Sequence, residues 1–412
     1  MELMASEGSA FATAVKILGF EDCHSTTICD DDCLMNMIFG GVTAMAKTYR
    51  VGIIGRTGKG NYGHGLDTVW KDVPNVEVVA VADDNDAGRA AALKRTGAKK
   101  AYADYRKMLE VEKPDIVAVA QRWLDQHHAM TLACAAQGCH VYMEKPFCRT
   151  LAEADEIIKA FETRHLKLAV AHGNRLTPQL KIAKTLIANG EIGDVLEIRA
   201  RGKEDSRRGG GEDLWVLGTH MLDLMRAFAG DVSSCYSTVT SEGHPVGKAD
   251  VSEGNEGIGP LAGDAVDVTY AFKSGITGFF ASHRGTAGQP SRFGLKVFGS
   301  KGVIEFQSGY LRTAYLLKDP SWSPGRSKAK WVPISSNGVG KPETRTAPHR
   351  ANKVAVLDLI EAIENDRQPK SSMYDARAAT EMIVGVFESH RVGSPVMFPL
   401  ENRKNPLAML KK

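Results

Sequence analysis

Hydrophobic residues in the first half of the chain form short, nearly continuous runs that alternate with amphipathic stretches. The runs at 50–54, 76–82, 116–120 and 141–143 predict strands, because strands covered on both faces are apolar along their whole length. The stretches between them have apolar residues at helical spacing, as at 87–96. Alternation of this kind predicts a parallel, doubly wound α/β sheet.

The second half has a different pattern, in which strand-like runs follow one another with few helices between them. Lys273-Ser274-Gly275 and Ser300-Lys301-Gly302 are turn sequences between two pairs of these runs. The pattern predicts an α+β domain with a large, mostly antiparallel sheet. The predicted strands are 168–171, 195–202, 235–240, 266–274, 276–283, 294–299 and 303–306, and the predicted helices are 178–190, 354–363 and 376–387.

The segment 318–350 is rich in proline, glycine, serine and lysine and has no apolar period, so it is predicted to be a long loop. Trp322 and Trp331 in this segment would either stack on a sugar ring or belong to a tethered surface loop.

Glycines cluster directly after the first predicted strand, between Gly55 and residue 65. Gly58-x-Gly60-x-x-Gly63 fits the dinucleotide fingerprint. In such a loop the backbone N–H groups close on a diphosphate, and the N-terminus of the next helix adds positive charge. We therefore expect this loop, with Thr57 inside it, to bind a dinucleotide.

Asp83 ends the second predicted strand, 20 residues after Gly63. A carboxylate at this place accepts hydrogen bonds from the adenosine ribose and repels a 2′-phosphate, which favours NAD over NADP. The alternative is that Asp83 only caps the helix predicted at 87–96.

Glu144-Lys145-Pro146 follows the apolar run 141–143, where a buried strand stops and a helix capped by Thr150 and Glu153 begins. Ligands bind at this edge of open α/β sheets. A partly desolvated lysine has a lowered pKa and suits proton transfer or binding of a hydroxyl group. The alternative is a surface Glu-Lys pair beside a turn proline.

With these motifs in order, residues 48–408 resemble the Gfo/Idh/MocA family of NAD(P)-dependent oxidoreductases. The resemblance rests on the glycine loop, Asp83, His127 at 17 residues before Glu144, the Glu-Lys-Pro motif and the segment 218–223. It implies that Lys145 contacts the substrate hydroxyl group, that the Lys145-Pro146 bond is cis and that His220 shares the proton transfer. A histidine suits that role because its pKa lies near neutrality. The alternative is that His220 is only a packed or capping histidine.

The chain departs from the family pattern at two places. The threonine-proline-asparagine that precedes the family histidine is absent, and Trp123 and Asp125 would either line the cofactor pocket in its place or serve only in structural packing. The aspartate expected four residues before His220 is Val216, which leaves Glu212 or Asp213 as possible substitutes.

The resulting prediction has these site residues. Lys145 and His220 are catalytic. Asn174, Arg175 and Asp223 bind the substrate. The cofactor-binding residues are Gly55, Thr57, Gly58, Gly60, Gly63, Asp83, Trp123, His127 and Glu144.

We predict four parts: an extension at 1–47, a Rossmann dinucleotide-binding domain at 48–168, an α+β substrate and oligomerisation domain at 169–375, and a helix and tail at 376–412 that return toward the first domain. Residues 1–44 hold seven acids and one lysine. We interpret them as a disordered or mis-called extension before a start at Met45. Cys23, Cys29 and Cys33 match no zinc-ligand spacing, so no metal site is predicted.

Composition narrows the class of protein. A net charge of +3 without a dense basic block argues against nucleic acid or an anionic membrane as partner. No run approaches the roughly 18 apolar residues of a membrane span. Seven cysteines without a C-x-x-C pair are typical of reduced thiols in the cytoplasm.

The function predicted from these observations is hydride transfer between NAD and a secondary alcohol of a sugar, cyclitol or related polyol, by a homo-dimer or homo-tetramer. Two alternatives remain open: an NAD-retaining glycoside hydrolase or lyase that works by transient oxidation, and a non-catalytic NAD-binding protein.

Overall fold

The computed structural model of the chain describes residues 47–308, 313–344 and 350–411. The predicted extension, including Met45 and the cysteines at 23, 29 and 33, lies outside these ranges except for Lys47.

The first sheet is parallel, with strand order β3-β2-β1-β4-β5-β6. Its strands are β1 (Tyr49–Ile54), β2 (Val76–Ala82), β3 (Lys100–Tyr102), β4 (Ile116–Val119), β5 (His140–Met143) and β6 (Leu168–Val170). Helices α1 (Asp86–Thr96), α2 (Tyr105–Glu112), α3 (His127–Ala136) and α4 (Leu151–Glu162) connect them. The strand order reverses between β1 and β4, and ligands bind in the crevice beside such a switch point. The predicted doubly wound sheet is confirmed.

Local side-chain bonds explain where the helices begin. The Asn85 side chain accepts a hydrogen bond from the Gly88 N–H at 2.8 Å at the start of α1. The Thr150 hydroxyl accepts one from the Glu153 N–H at 3.2 Å at the start of α4. The Glu153 carboxylate accepts from the Arg149 N–H at 2.8 Å, so the predicted capping box is shifted by one residue in its second half.

The prediction that a helix directly follows the glycine loop is wrong. Turns occupy the segment after Gly55, and only a short 3-10 helix, Val69–Asp72, precedes β2. Gly58, Gly60 and Gly63 have positive φ angles, which a right-handed helix does not allow. The buried Trp70 ring donates to the Leu66 carbonyl at 2.9 Å and fixes the 3-10 turn.

The second sheet has strand order β18-β17-β16-β15-β14-β7-β13-β12-β8-β19, with β9 paired to β8. Except for the parallel pair β7 and β13, its strands pair antiparallel. This confirms the predicted large, mostly antiparallel sheet. Its strands are β7 (Val195–Arg201), β8 (Val232–Ser241), β9 (His244–Pro245), β12 (Ala265–Phe272), β13 (Thr277–His283), β14 (Gly294–Gly299), β15 (Gly302–Gln307), β16 (Thr313–Leu317), β17 (Val332–Ser335), β18 (Gly338–Val339) and β19 (Val396–Met397).

A separate hairpin, which we call the lid hairpin, consists of β10 (Ser252–Gly254) and β11 (Gly259–Leu261) with a 3-10 turn at Asn255–Gly257. The remaining helices are α5 (Pro178–Ala188), α6 (Gly211–Asp213), a π-helix at Leu214–Gly218, α7 (Thr219–Ala229), α8 (Pro324–Ser327), α9 (Arg350–Glu364) and α10 (Met373–Val392).

The segment 318–350 is not the structureless loop predicted from its composition. It supplies α8, the edge strand β18 and its neighbour β17. Trp322 donates its ring N–H to the Gly299 carbonyl at 2.8 Å and packs against Phe298. The ring therefore covers the sheet, which removes it as a candidate for sugar stacking.

Helix α10 is buried over most of its length and joins the two sheets. Ser371, just before it, donates its hydroxyl to the Val170 carbonyl on β6 at 2.7 Å. Arg377 pairs with Asp155 on α4 at 3.1 Å. The tail thus contacts the first domain, while the three predicted boundaries between the four parts stay predictions. Within the described ranges, no helix is long and apolar enough to cross a membrane.

Candidate active site

Lys145 lies just beyond the end of β5, inside the protein. Its side chain is 6% exposed, and its ammonium donates to the Val216 carbonyl at 2.8 Å. Burial lowers the pKa of Lys145, against the opposing charges of Glu144 and Glu256. The lysine is therefore easier to deprotonate than a free one. The following Lys145-Pro146 bond is cis.

The carbonyl that receives Lys145 belongs to the π-helix Leu214–Gly218. A π-helix shifts its hydrogen bonds by one residue and is frequent at functional sites. Val216 stands where the resembling enzymes have an aspartate. Its apolar side chain is buried, and its main chain provides the polar contact instead.

His220 lies in the first turn of α7, four residues after Val216, so the two positions lie about one turn apart on a continuous helical segment. Its ring meets the ring of His172 edge to face, with 5.7 Å between centroids. His172 is buried and contacts the Thr219 hydroxyl through Nε2 at 3.0 Å. Burial lowers the pKa of His172, although Asp223 opposes this.

Arg175 and Asp223, both predicted to bind substrate, form an ion pair with each other. The guanidinium of Arg175 donates to the Asp223 carboxylate at 2.7–3.1 Å, and the carboxylate is fully buried. Arg175 also lies 3.3 Å from Asp375. This geometry fits a structural pair, and its Asp223 carboxylate lies 3.7 Å from His172 Nδ1, beyond hydrogen-bonding distance. Asn174, also predicted to bind substrate, donates to the Ser308 hydroxyl at 3.3 Å.

The glycine loop folds back on itself and lies over the ends of β4 and β5. Arg56 and Asn61 exchange two backbone hydrogen bonds of 3.0 Å. A side chain at Gly60 would contact the backbone N–H of Trp123 at 2.7 Å. One at Gly63 would contact the Ala120 carbonyl and the Glu144 carboxylate at 2.7 Å. Only glycine fits these close approaches.

Asp83 and Thr57 are bonded to each other at the end of β2. The Asp83 carboxylate accepts from the Thr57 hydroxyl at 2.7 Å, the Thr57 N–H at 3.1 Å and the Asn85 N–H at 3.0 Å. Asp83 is therefore held by the glycine loop as well as by Asn85, the residue that caps α1.

Glu144 and His127, two further predicted cofactor residues, are both buried. Glu144 is buried and lies 3.3 Å from His64 Nδ1. Burial would raise the pKa of Glu144, but the His64 hydrogen bond and the Lys145 charge bring it below its ordinary value. His127 is fully buried, with its ring nitrogens at 2.8 Å and 2.9 Å from the carbonyls of Pro146 and Gln121. It braces these loops and has no free edge for a cofactor contact.

Trp123 is half-buried beside the glycine loop, with the Lys59 ammonium 5.8 Å from the centre of its ring. The neighbouring Arg122 donates to the Gly60 carbonyl at 3.1 Å. This segment after β4 thus forms one wall of the crevice.

The lid hairpin connects the two sides of the cleft. Asn255 donates to the Glu212 carboxylate at 2.8 Å. Gly257 packs so closely on Asp125, in the segment after β4, that a side chain would lie 2.8 Å from the Asp125 Cβ. Asp125 in turn binds Arg56 of the glycine loop at 2.6 Å.

Several polar atoms around this cleft are buried and have no hydrogen-bond partner within the described residues. Buried polar groups are usually paired, so unpaired ones need an explanation such as a ligand. They are Gln121 Oε1, Asp125 Oδ1, His172 Nδ1, Arg208 Nε, Glu212 Oε1 and Asp213 Oδ1. No group of three His, Cys, Asp or Glu in the described ranges could hold a metal ion.

Two family models match most of the chain. The first, "Oxidoreductase family, NAD-binding Rossmann fold", covers residues 49–172, and the second, "Oxidoreductase family, C-terminal alpha/beta domain", covers residues 184–398. The chain belongs to the Gfo/Idh/MocA oxidoreductase family. The resemblance stated from the sequence is confirmed.

The sequence identity to individual relatives is low. The levoglucosan dehydrogenase of Pseudarthrobacter phenanthrenivorans is 28% identical over 57% of this chain and 65% of its own length, just under two thirds. The myo-inositol 2-dehydrogenase of Thermotoga maritima is 26% identical over 67% of this chain and 80% of its own. The solved structure of a levoglucosan dehydrogenase with NADH and levoglucosan superposes with a TM-score of 0.70 at 20% identity, over 85% of this chain and 99% of that one.

The residues present fit the NAD of the Gfo/Idh/MocA family. Gly58, Gly60 and Gly63 have positive φ angles and carry no side chain that would block a diphosphate, although the N–H groups of Gly55 and Gly58 donate within the protein. Asp83 stands at the end of β2. The unpartnered oxygens of Gln121 and Asp125 lie after β4. The α-helix N-terminus that usually faces the diphosphate is missing, so the backbone of the glycine loop and nearby side chains must replace it.

Sequence reasoning missed the residues that the lid hairpin and the second domain bring to the site. These are Arg208, Glu256 and the Val216 carbonyl. Gly257 follows Glu256 and Gly209 follows Arg208, and neither stretch has an apolar period that would assign these residues to an element. A main-chain carbonyl leaves no signal in the residue type.

Proposed function

We propose that this protein is an NAD-dependent oxidoreductase that transfers a hydride between nicotinamide and a secondary alcohol of a sugar, cyclitol or related polyol. The observation that supports this most directly is the buried Lys145 ammonium, held by the Val216 carbonyl at the carboxyl edge of the parallel sheet. Levoglucosan and myo-inositol, the compounds named for two relatives, both carry secondary alcohols.

In this proposal Lys145 binds the oxygen of the substrate hydroxyl group. Its lowered pKa makes the neutral amine accessible, so that it accepts the hydroxyl proton when the alcohol is oxidised. The Val216 carbonyl fixes the direction of Nζ. His220, one helical turn further on, exchanges the proton with Lys145 or directly with the substrate.

NAD, when bound, supplies the hydride acceptor. The residues that would hold it are those of the glycine loop, with Asp83 on the adenosine ribose and with Trp123 and Glu144 near the nicotinamide end. Asp83 supports NAD over NADP, because its carboxylate repels a 2′-phosphate. Thr57 contributes by orienting Asp83.

The second candidate function is an NAD-retaining hydrolase or lyase that oxidises its substrate transiently. The observation in its favour is the Val216 carbonyl, which replaces a proton-transferring carboxylate with a group that only accepts a hydrogen bond.

A panel of sugars, cyclitols and sugar acids with NAD and with NADP, followed at the absorbance of reduced nicotinamide, tests the proposal. Steady NADH formation that Lys145→Met abolishes would support it. Substrate consumption with no net NADH release would favour the second candidate. A panel without turnover in either assay would contradict both.

We also propose a cytoplasmic homo-dimer or homo-tetramer. The location is supported by the cysteines of the described residues, Cys134, Cys139, Cys148 and Cys235, which are buried free thiols. The assembly is supported by Tyr236 and Phe279. They lie in one cross-strand row through Thr269 and are 50% and 37% exposed on the open face of the second sheet. Light scattering of the wild type and of Phe279→Glu tests the assembly, which should dissociate in the variant.

A further inference from the structure

The guanidinium of Arg208 is mostly buried but lacks a close partner. Its side chain is 19% exposed, and its Nε is buried with no hydrogen-bond acceptor among the described residues. The nearest ion-pair contact is Glu256, at 3.9 Å from a terminal nitrogen. Burying a charge without a hydrogen-bonded partner is costly, so a ligand that completes this arginine would bind favourably.

The backbone around Arg208 is fixed in place. Its N–H donates to the Asp205 carboxylate at 2.8 Å, and its carbonyl accepts from the Asp213 N–H at 2.8 Å. The π-helix that carries the Val216 carbonyl begins directly after Asp213. Arg208 is also among the cations close enough to lower the pKa of Lys145. The Arg208 charge is therefore close enough to influence the Lys145 ammonium.

Glu256 approaches this arginine from the lid hairpin. Its φ angle is +57°, which is uncommon and strained for a residue other than glycine. Its carboxylate lies 3.7 Å from Arg207 and 3.9 Å from Arg208, beyond hydrogen-bonding distance. Glu256 therefore balances the charge of the arginines without occupying their N–H groups.

Arg122, on the other side of the cleft from Arg208, is a second cation near Lys145 and lies on the cofactor side. Arg122 donates to the Gly60 carbonyl in the glycine loop. Arg208, in contrast, lies in the second domain beside the π-helix. The two arginines thus divide the positive charge near Lys145 between a cofactor side and a substrate side.

We propose that Arg208 binds a carboxylate of the substrate, and that the substrate is therefore a sugar acid, such as a hexuronate or an aldonate, oxidised at a secondary alcohol. A carboxylate matches the planar fork of Nε and a terminal nitrogen and can form two parallel hydrogen bonds. The inference rests on the proposed function, because Lys145 must hold the hydroxyl group of the same molecule.

The test compares hexuronates and aldonates with the neutral hexoses and hexitols of the same stereochemistry, with NAD as acceptor. We expect kcat/KM to be at least about tenfold higher for the acid of the matched pair, since a hydrogen bond to a charged group contributes this much or more. Arg208→Ala should lower kcat/KM for the acid about 30- to 100-fold and change that for the neutral compound less than about threefold. Arg208→Lys keeps the charge but not the planar fork, so its kcat/KM for the acid should lie between the values of the wild type and of Arg208→Ala.

Arg207→Ala is the matched control, because its side chain is 61% exposed and its loss should leave both rates near those of the wild type. A wild type that prefers the neutral compound, or an Arg208→Ala variant that lowers both rates equally, would overturn the inference. Circular dichroism of each variant separates a folding defect from a binding defect, and Arg208→Lys retains the test if the alanine variant unfolds.

Calorimetric titration of the NADH-loaded protein with the hexuronates and aldonates separates this inference from the proposed function. Binding of an acid that depends on Arg208 but gives no turnover would support the carboxylate site and contradict the oxidoreductase proposal. Turnover of neutral polyols without acid binding would support the oxidoreductase proposal and contradict the carboxylate site. If Arg208→Ala weakened NADH binding and left acid binding unchanged, the arginine would serve the cofactor diphosphate, and the inference would be overturned.

Discussion

Two arginine–carboxylate pairs flank the site and differ in how completely they are formed. Arg175 and Asp223 make several hydrogen bonds of 2.7–3.1 Å around a fully buried carboxylate. Arg208 and Glu256 are 3.9 Å apart, and the Arg208 Nε has no acceptor in the described part of the chain. The same residue types therefore serve two purposes. The closed pair holds the second domain in shape, and the open pair leaves donors for a ligand.

The largest effect is expected from Lys145, whose pKa both members of the open pair influence. Lys145→Met should lower kcat by about 10²- to 10⁴-fold, the usual contribution of a positioned proton-transfer group. The same variant should be at least as stable as the wild type. The folded-state pKa of Lys145 is lowered, so its charged form disfavours folding at any pH below the ordinary lysine pKa, and methionine removes that cost. Steady-state kinetics and urea unfolding measure the two effects, and a stable variant with unchanged kcat would contradict the role.

Breaking the closed pair should reduce stability. Asp223→Asn leaves the Arg175 guanidinium with Asp375, at 3.3 Å, as its remaining counter-charge, and should cost up to about 3–5 kcal/mol in the free energy of unfolding. Arg208→Ala loses no guanidinium hydrogen bond to the residues that the structure describes and should cost about 1 kcal/mol or less. Denaturant unfolding of both variants checks the contrast. Equal losses would mean that the two pairs do not differ as described.

Asp83 is a second closed carboxylate, on the cofactor side. Asp83→Asn keeps the side-chain shape but removes the charge that disfavours a 2′-phosphate. We expect the ratio of kcat/KM for NAD to that for NADP to fall about tenfold, equal to about 1.4 kcal/mol. Asp84→Asn is the control, since that side chain is 64% exposed. An unchanged ratio in Asp83→Asn would rule out this carboxylate as the source of cofactor preference.

The smallest effect is expected from the charge on the lid hairpin. The Glu256 carboxylate raises the pKa of Lys145 against the effect of burial. Glu256→Gln should therefore lower that pKa further, and the rise of kcat with pH in the oxidation direction should move to lower pH. Glu253→Gln, an exposed position on the same hairpin, is the control. A shift toward higher pH in Glu256→Gln would contradict the assignment.

Much of the fold could be predicted because its signals are local. The apolar run at 76–82 coincides with β2, and the run at 294–299 coincides with β14. The segment after Gly55 was predicted wrongly, because its glycines suit both a helix-preceding loop and a chain of turns. Segment 318–350 was predicted wrongly because Pro333 and nearby glycines conceal two short strands, the edge strand β18 and its neighbour β17.

The candidate site was predictable where one residue type does the chemistry, as with Lys145, His220 and Asp83, whose roles stay predictions. It was not predictable where long-range packing decides. The pairing of Arg175 with Asp223 joins residues 48 positions apart. Glu256 reaches the site only because the lid hairpin crosses from one domain to the other.

Residues 400–410 give the fold a mechanical property that neither domain has alone. Arg403 binds Asp155 on α4 at 2.8 Å, its carbonyl accepts from the Ala152 N–H at 3.1 Å, and Asn405 donates to the Pro260 carbonyl in the lid hairpin at 3.0 Å. Residues 400–410 thus connect α4 of the first domain to the lid hairpin. If the protein were cut into two fragments at the domain border, the contacts between residues 400–410 and α4 would be lost. Co-expressed fragments should therefore have to reassemble before the site is complete.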